Sequence, residues 1–235
     1  MTATVPPPPE AALAGGGLYE RFARLFPEPR AARVVGAVFA DLFHAYAEPH
    51  RAYHTLGHIA SCLATTDAMP IGRSNTSNAA KSNARDAEIA IWWHDAVCAA
   101  GASDNEENSA GWLERVSRAI YAGPVSAPIQ AILATRHTRD AGATDLAAYV
   151  VDVDLSILGS PPASYDTYAA QIRKEYGHVP DAEYRHGRVT FLCGMLGRRH
   201  LYHREEFRER FEHAARENMF REIKKLETGA RGEGP

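Results

Sequence analysis

The stretch of sequence from Arg51 to Leu63 reads RAYHTLGHIASCL and carries two histidines, His54 and His58, four residues apart. Apolar residues follow the second histidine with the spacing of an amphipathic helix. We therefore expect a helix from about Tyr53 to Asp67, on which side chains four residues apart share one face. The two imidazoles are then either polar residues at the start of a helix or two groups directed into one pocket.

Helical spacing of apolar residues continues on both sides of this stretch. Upstream, YERFARLF and AARVVGAVFADLFHAYA show it, and Pro27 and Pro29 separate the two segments. The valine-rich segment LAAYVVDVDLSILG could be a strand, but no second strand offers itself as a partner, so we expect a helix there. The sequence thus predicts an all-α chain, with a helical bundle followed by additional C-terminal helices. The other segments with helical spacing are DAEIAIWWHDAVCAA, EENSAGWLERVSRAIY, APIQAILATRH, YDTYAAQIRKEYG, DAEYRHGRVTFLCGMLGRR and REEFRERFEHAARENMFREIKKLE.

Three polar or proline- and glycine-rich segments interrupt or flank the helical pattern. Residues 1–17 contain PPPP and GGG and predict a disordered arm, and residues 228–235 predict a disordered tail. MPIGRSNTSNAAKSNAR, over residues 69–85, is rich in Ser and Asn and predicts a surface loop. Between the arm and the tail we expect one domain, over residues 18–227, because a chain of this length suits a single large core.

The composition excludes several classes of protein. A formal net charge of -3 gives no reason to expect a nucleic-acid duplex or an anionic membrane as partner, since both favour a basic surface. We find no apolar run of the roughly 20 residues that span a bilayer, and no signal peptide. The three cysteines are far apart in sequence and form no CxxC pair, so we expect a reduced, cytoplasmic protein.

A second pair of polar residues, His94 and Asp95, follows the apolar run IAIWW. We expect both on one helix, with Asp86 capping its start and Trp92 and Trp93 in the core. Burying an imidazole and a carboxylate without partners is costly, and a divalent cation is an efficient partner for both. These ligand types suit Zn, Mn, Fe, Co or Ni, and oxygen-rich variants suit Mg.

Two further acids, Asp152 and Asp154, interrupt the apolar run VVDVDLSIL. In one interpretation Asp152 caps a helix and Asp154 faces solvent. In the other, one of them completes a metal site. The residues alone leave both interpretations open.

The order of these signals, H…HD…D, resembles the HD superfamily of metal-dependent phosphohydrolases, over most of residues 18–226. The segments that carry the resemblance are YHTLGHI, WWHDAV, SDNEENSA, ATRHT and DVDLSILG, and together they are similar to a bacterial subgroup of that superfamily. YHTLGH is also similar to the YHNxxH motif of cyclic-nucleotide phosphodiesterases. The resemblance implies an HD-domain-like helical bundle in which one divalent metal ion is held by four residues. These are His58, His94, Asp95 and Asp154, with Asp152 as the alternative to Asp154.

The same resemblance assigns catalytic roles to His54 and Asp95. His54 matches the histidine that protonates the leaving oxygen in the cyclic-nucleotide enzymes, and the ordinary pKa of histidine, about 6.5, suits such work. Asp95 would ligate the metal and also lie near the attacking water. The alternative for His54 is a polar residue at the start of a helix.

The chain departs from the superfamily after the His-Asp pair. Many members carry Glu or a Gly-rich segment there, whereas here AVCAAGA precedes the acidic residues Asp104, Glu106 and Glu107. Glu107 is our preferred catalytic candidate among them, to orient water or a metal-bound histidine. The alternative is a helix N-terminus that favours acidic residues.

Substrate contacts are predicted from the basic residues near these motifs. Arginine suits phosphate through its planar fork, so Arg136 and Arg173 are candidate phosphate contacts, as are Lys174 and Arg188. His137 resembles the histidine that binds a second metal in binuclear relatives, and it could equally stabilise a helix C-terminus. We place it among the candidate substrate contacts, next to Arg136. The tyrosines Tyr165, Tyr168 and Tyr176 suit packing better than base stacking.

The function that the resemblance implies is hydrolysis of a phosphoester or phosphoanhydride in a nucleotide or other small phosphorylated metabolite, by a monomer or homodimer. Two alternatives stay open: a catalytically silent, nucleotide-binding regulatory HD protein, and a di-iron HD-type oxygenase. The oxygenase needs more ligands, and only His137 and the acidic residues 104–107 could supply them.

Overall fold

The computed structural model describes residues 17–28, 32–72, 78–120, 123–137 and 144–229. All regular secondary structure in these ranges is helical, which confirms the all-α prediction. A 3-10 turn over Leu155–Gly159 follows α7, and a π-helical turn over Arg208–Glu212 precedes α11. The helices are α1 (Gly17–Ala23), α2 (Ala32–Tyr46), α3 (Leu56–Ala68), α4 (Asn78–Trp93), α5 (Asn105–Ile120), α6 (Ser126–Ala134), α7 (Asp145–Asp154), α8 (Pro162–Glu175), α9 (Asp181–Leu196), α10 (Glu205–Phe207) and α11 (His213–Gly229).

The chain forms two compact units, the first ending at Val153 and the second beginning at Asp154. One domain over residues 18–227 stays a prediction. Of the predicted arm, residues 1–16 lie outside the described residues, and Gly17 begins α1. Of the predicted tail, residues 230–235 lie outside them, and Thr228 and Gly229 end α11.

An aromatic cluster forms part of the core of the first unit. Phe22 of α1 lies 5.3 Å from the ring of Trp92 and 5.5 Å from that of Trp93, and Phe39 of α2 lies 5.9 Å from Trp92. Both tryptophans are fully buried, as predicted. Ring pairs at these separations add to the free energy gained by burying their large apolar area. The cluster therefore fixes the C-terminal end of α4, directly before His94.

Helix α3 begins at Leu56, three residues later than the predicted start at Tyr53. Thr55 has an extended backbone, with φ -116° and ψ 178°, and its hydroxyl accepts a hydrogen bond from the N–H of Gly57. Threonine in this position caps a helix because it satisfies one of the otherwise unpaired N–H groups. His54 therefore precedes the helix, whereas His58 lies in its first turn, so the two histidines do not stack on one helical face.

Helix α4 differs from its prediction at both ends. The polar segment 69–85 is not a loop throughout, since α4 begins at Asn78, while residues 73–77 lie outside the described ones. Asp86 lies inside the helix and does not cap it. The helix ends at Trp93, so His94 and Asp95 follow it in a turn. The expected placement of both residues on the helix is wrong, because the chain leaves the helix where no glycine or proline signals an end.

The second unit packs α8, α9, α11 and the 3-10 turn around buried tyrosines. Tyr165 and Tyr168 are buried, in agreement with the packing interpretation. The 3-10 turn ends at Gly159, where a β-carbon would lie 2.6 Å from Cβ of Phe211 in the π-helical turn. Only glycine allows the two turns to approach so closely.

None of the helices in the described ranges combines the length and the apolar character needed to cross a bilayer.

Candidate metal centre

Three side chains of the first unit converge on one point. Nε2 of His58, from the first turn of α3, lies 3.1 Å from Nε2 of His94, in the turn after α4. Oδ2 of Asp95 lies 3.0 Å from Nε2 of His94 and 3.4 Å from Nε2 of His58. We call this group the His58–His94–Asp95 trio. Its three candidate ligand atoms all lie within 4.8 Å of one another.

The separations within the trio are those of ligands around a single cation. Zinc and similar ions bind imidazole nitrogen and carboxylate oxygen at about 2.1 Å, so that two ligand atoms are about 3.0 Å apart at 90° and about 3.4 Å apart at the tetrahedral angle. The observed separations run from 3.0 to 3.4 Å. The residues present therefore fit a divalent ion without rearrangement.

The tautomer of His94 is fixed by its second ring nitrogen. Nδ1 lies 2.9 Å from the carbonyl oxygen of Ile91, and a carbonyl can only accept, so Nδ1 carries the proton and donates. Metal-binding histidines usually hold their second nitrogen in this way, which orients the ring. With the proton on Nδ1, Nε2 is the nitrogen that faces Oδ2 of Asp95, at 3.0 Å. Two acceptors this close require a positive charge between them, which is either a proton on Nε2 or a bound cation.

Asp95 has the charge that a cation site needs. Burial by itself would raise the pKa of this carboxyl, but the charges of His94, His54 and His58 outweigh it and hold the pKa well below its usual range. Its Oδ2 atom is buried and faces the Nε2 atoms of both His94 and His58. The side chain as a whole is 21% exposed, so small molecules can approach the carboxylate from solvent. Asp95 therefore carries a negative charge at neutral pH, with Oδ2 between the two imidazoles of the trio.

His58 is enclosed, whereas His54 is half-buried beside it. Tyr53 lies against the His58 ring with centroids 4.7 Å apart, and Sγ of Cys62 lies 3.7 Å from its Nε2. The His54 ring lies 6.0 Å from the His58 ring and outside the trio, yet close enough for its charge to act on Asp95. The separate roles of a metal ligand for His58 and a proton donor for His54 stay a prediction.

The two aspartates of α7 occupy different environments. Asp152 lies within α7 and is completely buried from solvent, so it does not cap the start of the helix. Asp154 is the last residue of α7 and the first of the second unit, and it is half-buried. The assignment of Asp154, or alternatively Asp152, as the fourth ligand stays a prediction.

The predicted catalytic Glu107 and the predicted phosphate contact Arg136 bind each other. The Arg136 guanidinium forms an ion pair with Glu107, lies 3.6 Å from Glu106 and donates to the carbonyl of Ser103 at 3.1 Å. Glu106 and Glu107 occupy the first turn of α5, where the helix dipole favours negative charge. His137 follows α6 with a left-handed backbone, φ 57°. The ion pair gives Glu107 and Arg136 a structural role, in which α5 and the end of α6 are joined. The catalytic role of Glu107 and the phosphate-binding role of Arg136 stay predictions.

The other predicted basic contacts lie in the second unit. Arg173 donates to Asp181 and to the carbonyls of Tyr176 and Val179, and so ties the end of α8 to the start of α9. Arg188 is buried and paired with Glu222 at 2.8 Å, and Lys174 is exposed. Arg173 and Arg188 thus have protein partners in place of a phosphate.

Two residues that hold the site have no recognisable signal in the sequence. Tyr46, at the end of α2, donates from its hydroxyl to the carbonyl of Trp92 at 3.0 Å. Arg51, the first residue of the stretch quoted above, donates to the carbonyls of Asp95 and Ala96. A lone arginine in a polar context is typical of a solvent-exposed cation, so only the structure identifies this one as buried.

Comparison of the chain with protein-family models, with curated proteins and with solved structures finds no match.

Proposed function

We propose that the chain is a metal-dependent phosphohydrolase of the HD type, acting on a nucleotide or another small phosphorylated metabolite. The observation that carries the proposal is the His58–His94–Asp95 trio, with ligand atoms 3.0 to 3.4 Å apart and a fixed His94 tautomer. A bound divalent ion would supply a Lewis acid that acidifies water and polarises a phosphoryl oxygen. The order of motifs along the chain, which resembles the HD superfamily, supplies the reaction class.

The chain's own residues divide the remaining work. His58 and His94 each present Nε2 as a ligand atom, and Asp95 supplies the negative charge that neutralises a cation. His54 is half-buried and lies at the edge of the trio, where it can donate a proton to the oxygen of the departing group. Asp95, which is partly exposed, can also accept a proton from the attacking water.

The contacts of Glu106 and Glu107 support a mononuclear hydrolase over a di-iron oxygenase. A second metal would need additional carboxylates, and Glu106 and Glu107 are both directed at Arg136. A silent regulatory protein would have no need of an ionised carboxylate held against two oriented imidazoles. The substrate class rests on the resemblance, and the mononuclear site rests on these contacts.

The test is a matrix of metals and substrates. The purified protein is stripped with a chelator, reloaded separately with Mn, Co, Ni, Mg or Zn, and assayed against nucleoside mono-, di- and triphosphates and cyclic dinucleotides. We expect chelation to abolish hydrolysis and one or more of the metals to restore it. Nucleotide binding with metal bound but no hydrolysis would indicate the regulatory protein, and two irons with oxygen uptake would indicate the oxygenase. Failure to bind any divalent ion would overturn the proposal.

Replacing His54 with glutamine should lower turnover by about 10²- to 10⁴-fold, the usual contribution of a general acid, while the metal stays bound. The reason is that the His54 ring lies outside the trio. Turnover and metal content are measured on the same preparation. The matched control is His50→Gln, since the His50 side chain is 51% exposed and contacts the carbonyl of Cys98. Loss of the metal from His54→Gln would make His54 a ligand and refute the separation of roles.

A further inference from the structure

Arg51 is an arginine enclosed by protein next to the trio. Its side chain is only 1% exposed, and its guanidinium lies 5.2 Å from the ring of Tyr46. Nε donates to the carboxylate of Glu48 at 3.0 Å, and Nη2 donates to the carbonyl of Ala96 at 2.9 Å. Nη1 donates to two carbonyls, that of His54 at 3.2 Å and that of Asp95 at 2.6 Å. One nitrogen therefore joins the backbone of the proposed general acid to the backbone of a proposed metal ligand.

The contacts of Arg51 complete the hydrogen bonding of the chain that leaves α4. A helix ends with carbonyls that have no partner inside the helix. Here Nδ1 of His94 donates to the carbonyl of Ile91, and the Tyr46 hydroxyl donates to that of Trp92. The N–H of Ala96 donates to the carbonyl of Trp93. Arg51 then donates to the carbonyls of Asp95 and Ala96. Its positive charge lies near the C-terminus of α4, which is the negative end of the helix dipole. The turn that carries His94 and Asp95 is thus held at five backbone carbonyls between Ile91 and Ala96.

We infer that Arg51 is a positioning residue of the metal centre, which holds His54 and Asp95 at a fixed separation through the two carbonyls shared by Nη1. The inference rests on the proposed function, since it assigns to Arg51 an effect on metal binding. Arg51 does not touch the metal or the substrate. It acts through the backbone of the residues that do.

The inference distinguishes arginine from lysine at this position. The guanidinium presents five N–H donors in a rigid plane, whereas the lysine ammonium presents three at a single point. A lysine could replace Nη1 but could not at the same time reach Glu48 and Ala96. Groups that orient metal ligands without binding the metal contribute about 10- to 100-fold to metal affinity, and we expect a loss of that size in Arg51→Lys.

The experiment uses Co(II) alone as the probe. Its affinity is measured by competition with a chelator, and its visible d–d absorption reports the geometry of the ligands. The full-length wild type is compared with Arg51→Lys and with Arg85→Lys. Arg85 is the matched control because it is half-buried in the first unit and, like Arg51, donates to a backbone carbonyl, that of Leu25 at 2.8 Å. Glu48→Gln is the second variant, since Glu48 is 45% exposed and its replacement should not prevent folding.

We expect Arg51→Lys to bind Co(II) about 10- to 100-fold more weakly with a changed spectrum, and Arg85→Lys to match the wild type. Glu48→Gln should show the same spectral change with a smaller loss of affinity. If Arg51→Lys does not fold, Glu48→Gln alone decides the question. A wild-type spectrum and affinity in both variants would overturn the inference and leave the proposed function standing. Absence of Co(II) binding in the wild type would overturn the proposed function instead.

Discussion

His94→Asn should bind the divalent ion at least about 100-fold more weakly than the wild type and should lose turnover to the background rate. An asparagine amide can still donate to the carbonyl of Ile91, which accepts from Nδ1 of His94 at 2.9 Å. It has no counterpart of Nε2, the atom that lies nearest to both other members of the trio. The variant thus removes one ligand and keeps the local hydrogen bond, and the loss should exceed the 10- to 100-fold effect of disturbing residues that only orient ligands.

Asp95→Asn tests the charge of the same site. The two side chains have nearly the same shape, but the amide is neutral, whereas the low pKa of Asp95 keeps its carboxyl ionised at neutral pH. We expect the metal and the turnover to be lost together. Metal content is measured by elemental analysis, and folding by circular dichroism. His213→Asn is the matched control, because that side chain is 88% exposed. Wild-type metal content in both site variants would show that the trio is not the metal site.

Arg188→Met should lower the free energy of unfolding of the second unit by about 3–5 kcal/mol, the usual cost of removing one partner from a buried ion pair. Arg188 of α9 donates to both carboxylate oxygens of Glu222 in α11, at 2.8 and 3.1 Å. The hydroxyl of Tyr165 in α8 donates to the same carboxylate at 2.6 Å. Burial and the Glu222 charge raise the pKa of Tyr165 well above its ordinary value, so it stays a donor. The arginine therefore neutralises a carboxylate that joins three helices.

The loss is measured by urea denaturation, and two further variants identify its cause. Lys225→Met removes an exposed partner, 58% accessible, from an ion pair with Asp166. It should change the unfolding free energy by less than about 1 kcal/mol. The double variant Arg188→Met with Glu222→Gln should recover a large part of the loss, because the neutral amide leaves no unpaired charge and its oxygen can still accept the hydrogen bond from Tyr165. Equal losses in the single and double variants would show that packing, and not the buried charge, is responsible.

The helices themselves could be predicted from the spacing of apolar residues, but their ends could not. Pro27 lies in the break between α1 and α2, and the segment around Val150 is helical as expected. The end of α4 carries no such mark. It is set by Tyr46 and Arg51, which donate hydrogen bonds to the carbonyls of Trp92 and Asp95. Both donors lie more than 40 residues earlier in the chain. Hydrogen bonds of that kind depend on the tertiary structure and have no local pattern.

The members of the trio could be named from the sequence because the order H…HD…D along the chain resembles the HD superfamily. His58, His94 and Asp95 were each recognisable as polar residues beside apolar runs, and the structure brings the three together. The basic residues were less predictable. Arg188 reads as one cation among many on a polar helix, yet it is buried against Glu222, and Arg136 is engaged by Glu107. Whether a charge meets solvent, a substrate or another side chain depends on which helices pack together.

The most direct measurement of the central claim is a crystal structure of the protein grown with Co(II) or Zn(II), with data collected at the absorption edge of the metal. The trio predicts one anomalous peak within about 2.3 Å of Nε2 of His58, Nε2 of His94 and a carboxylate oxygen of Asp95. A peak bound by other residues, or no peak at the trio at saturating metal, would contradict the account.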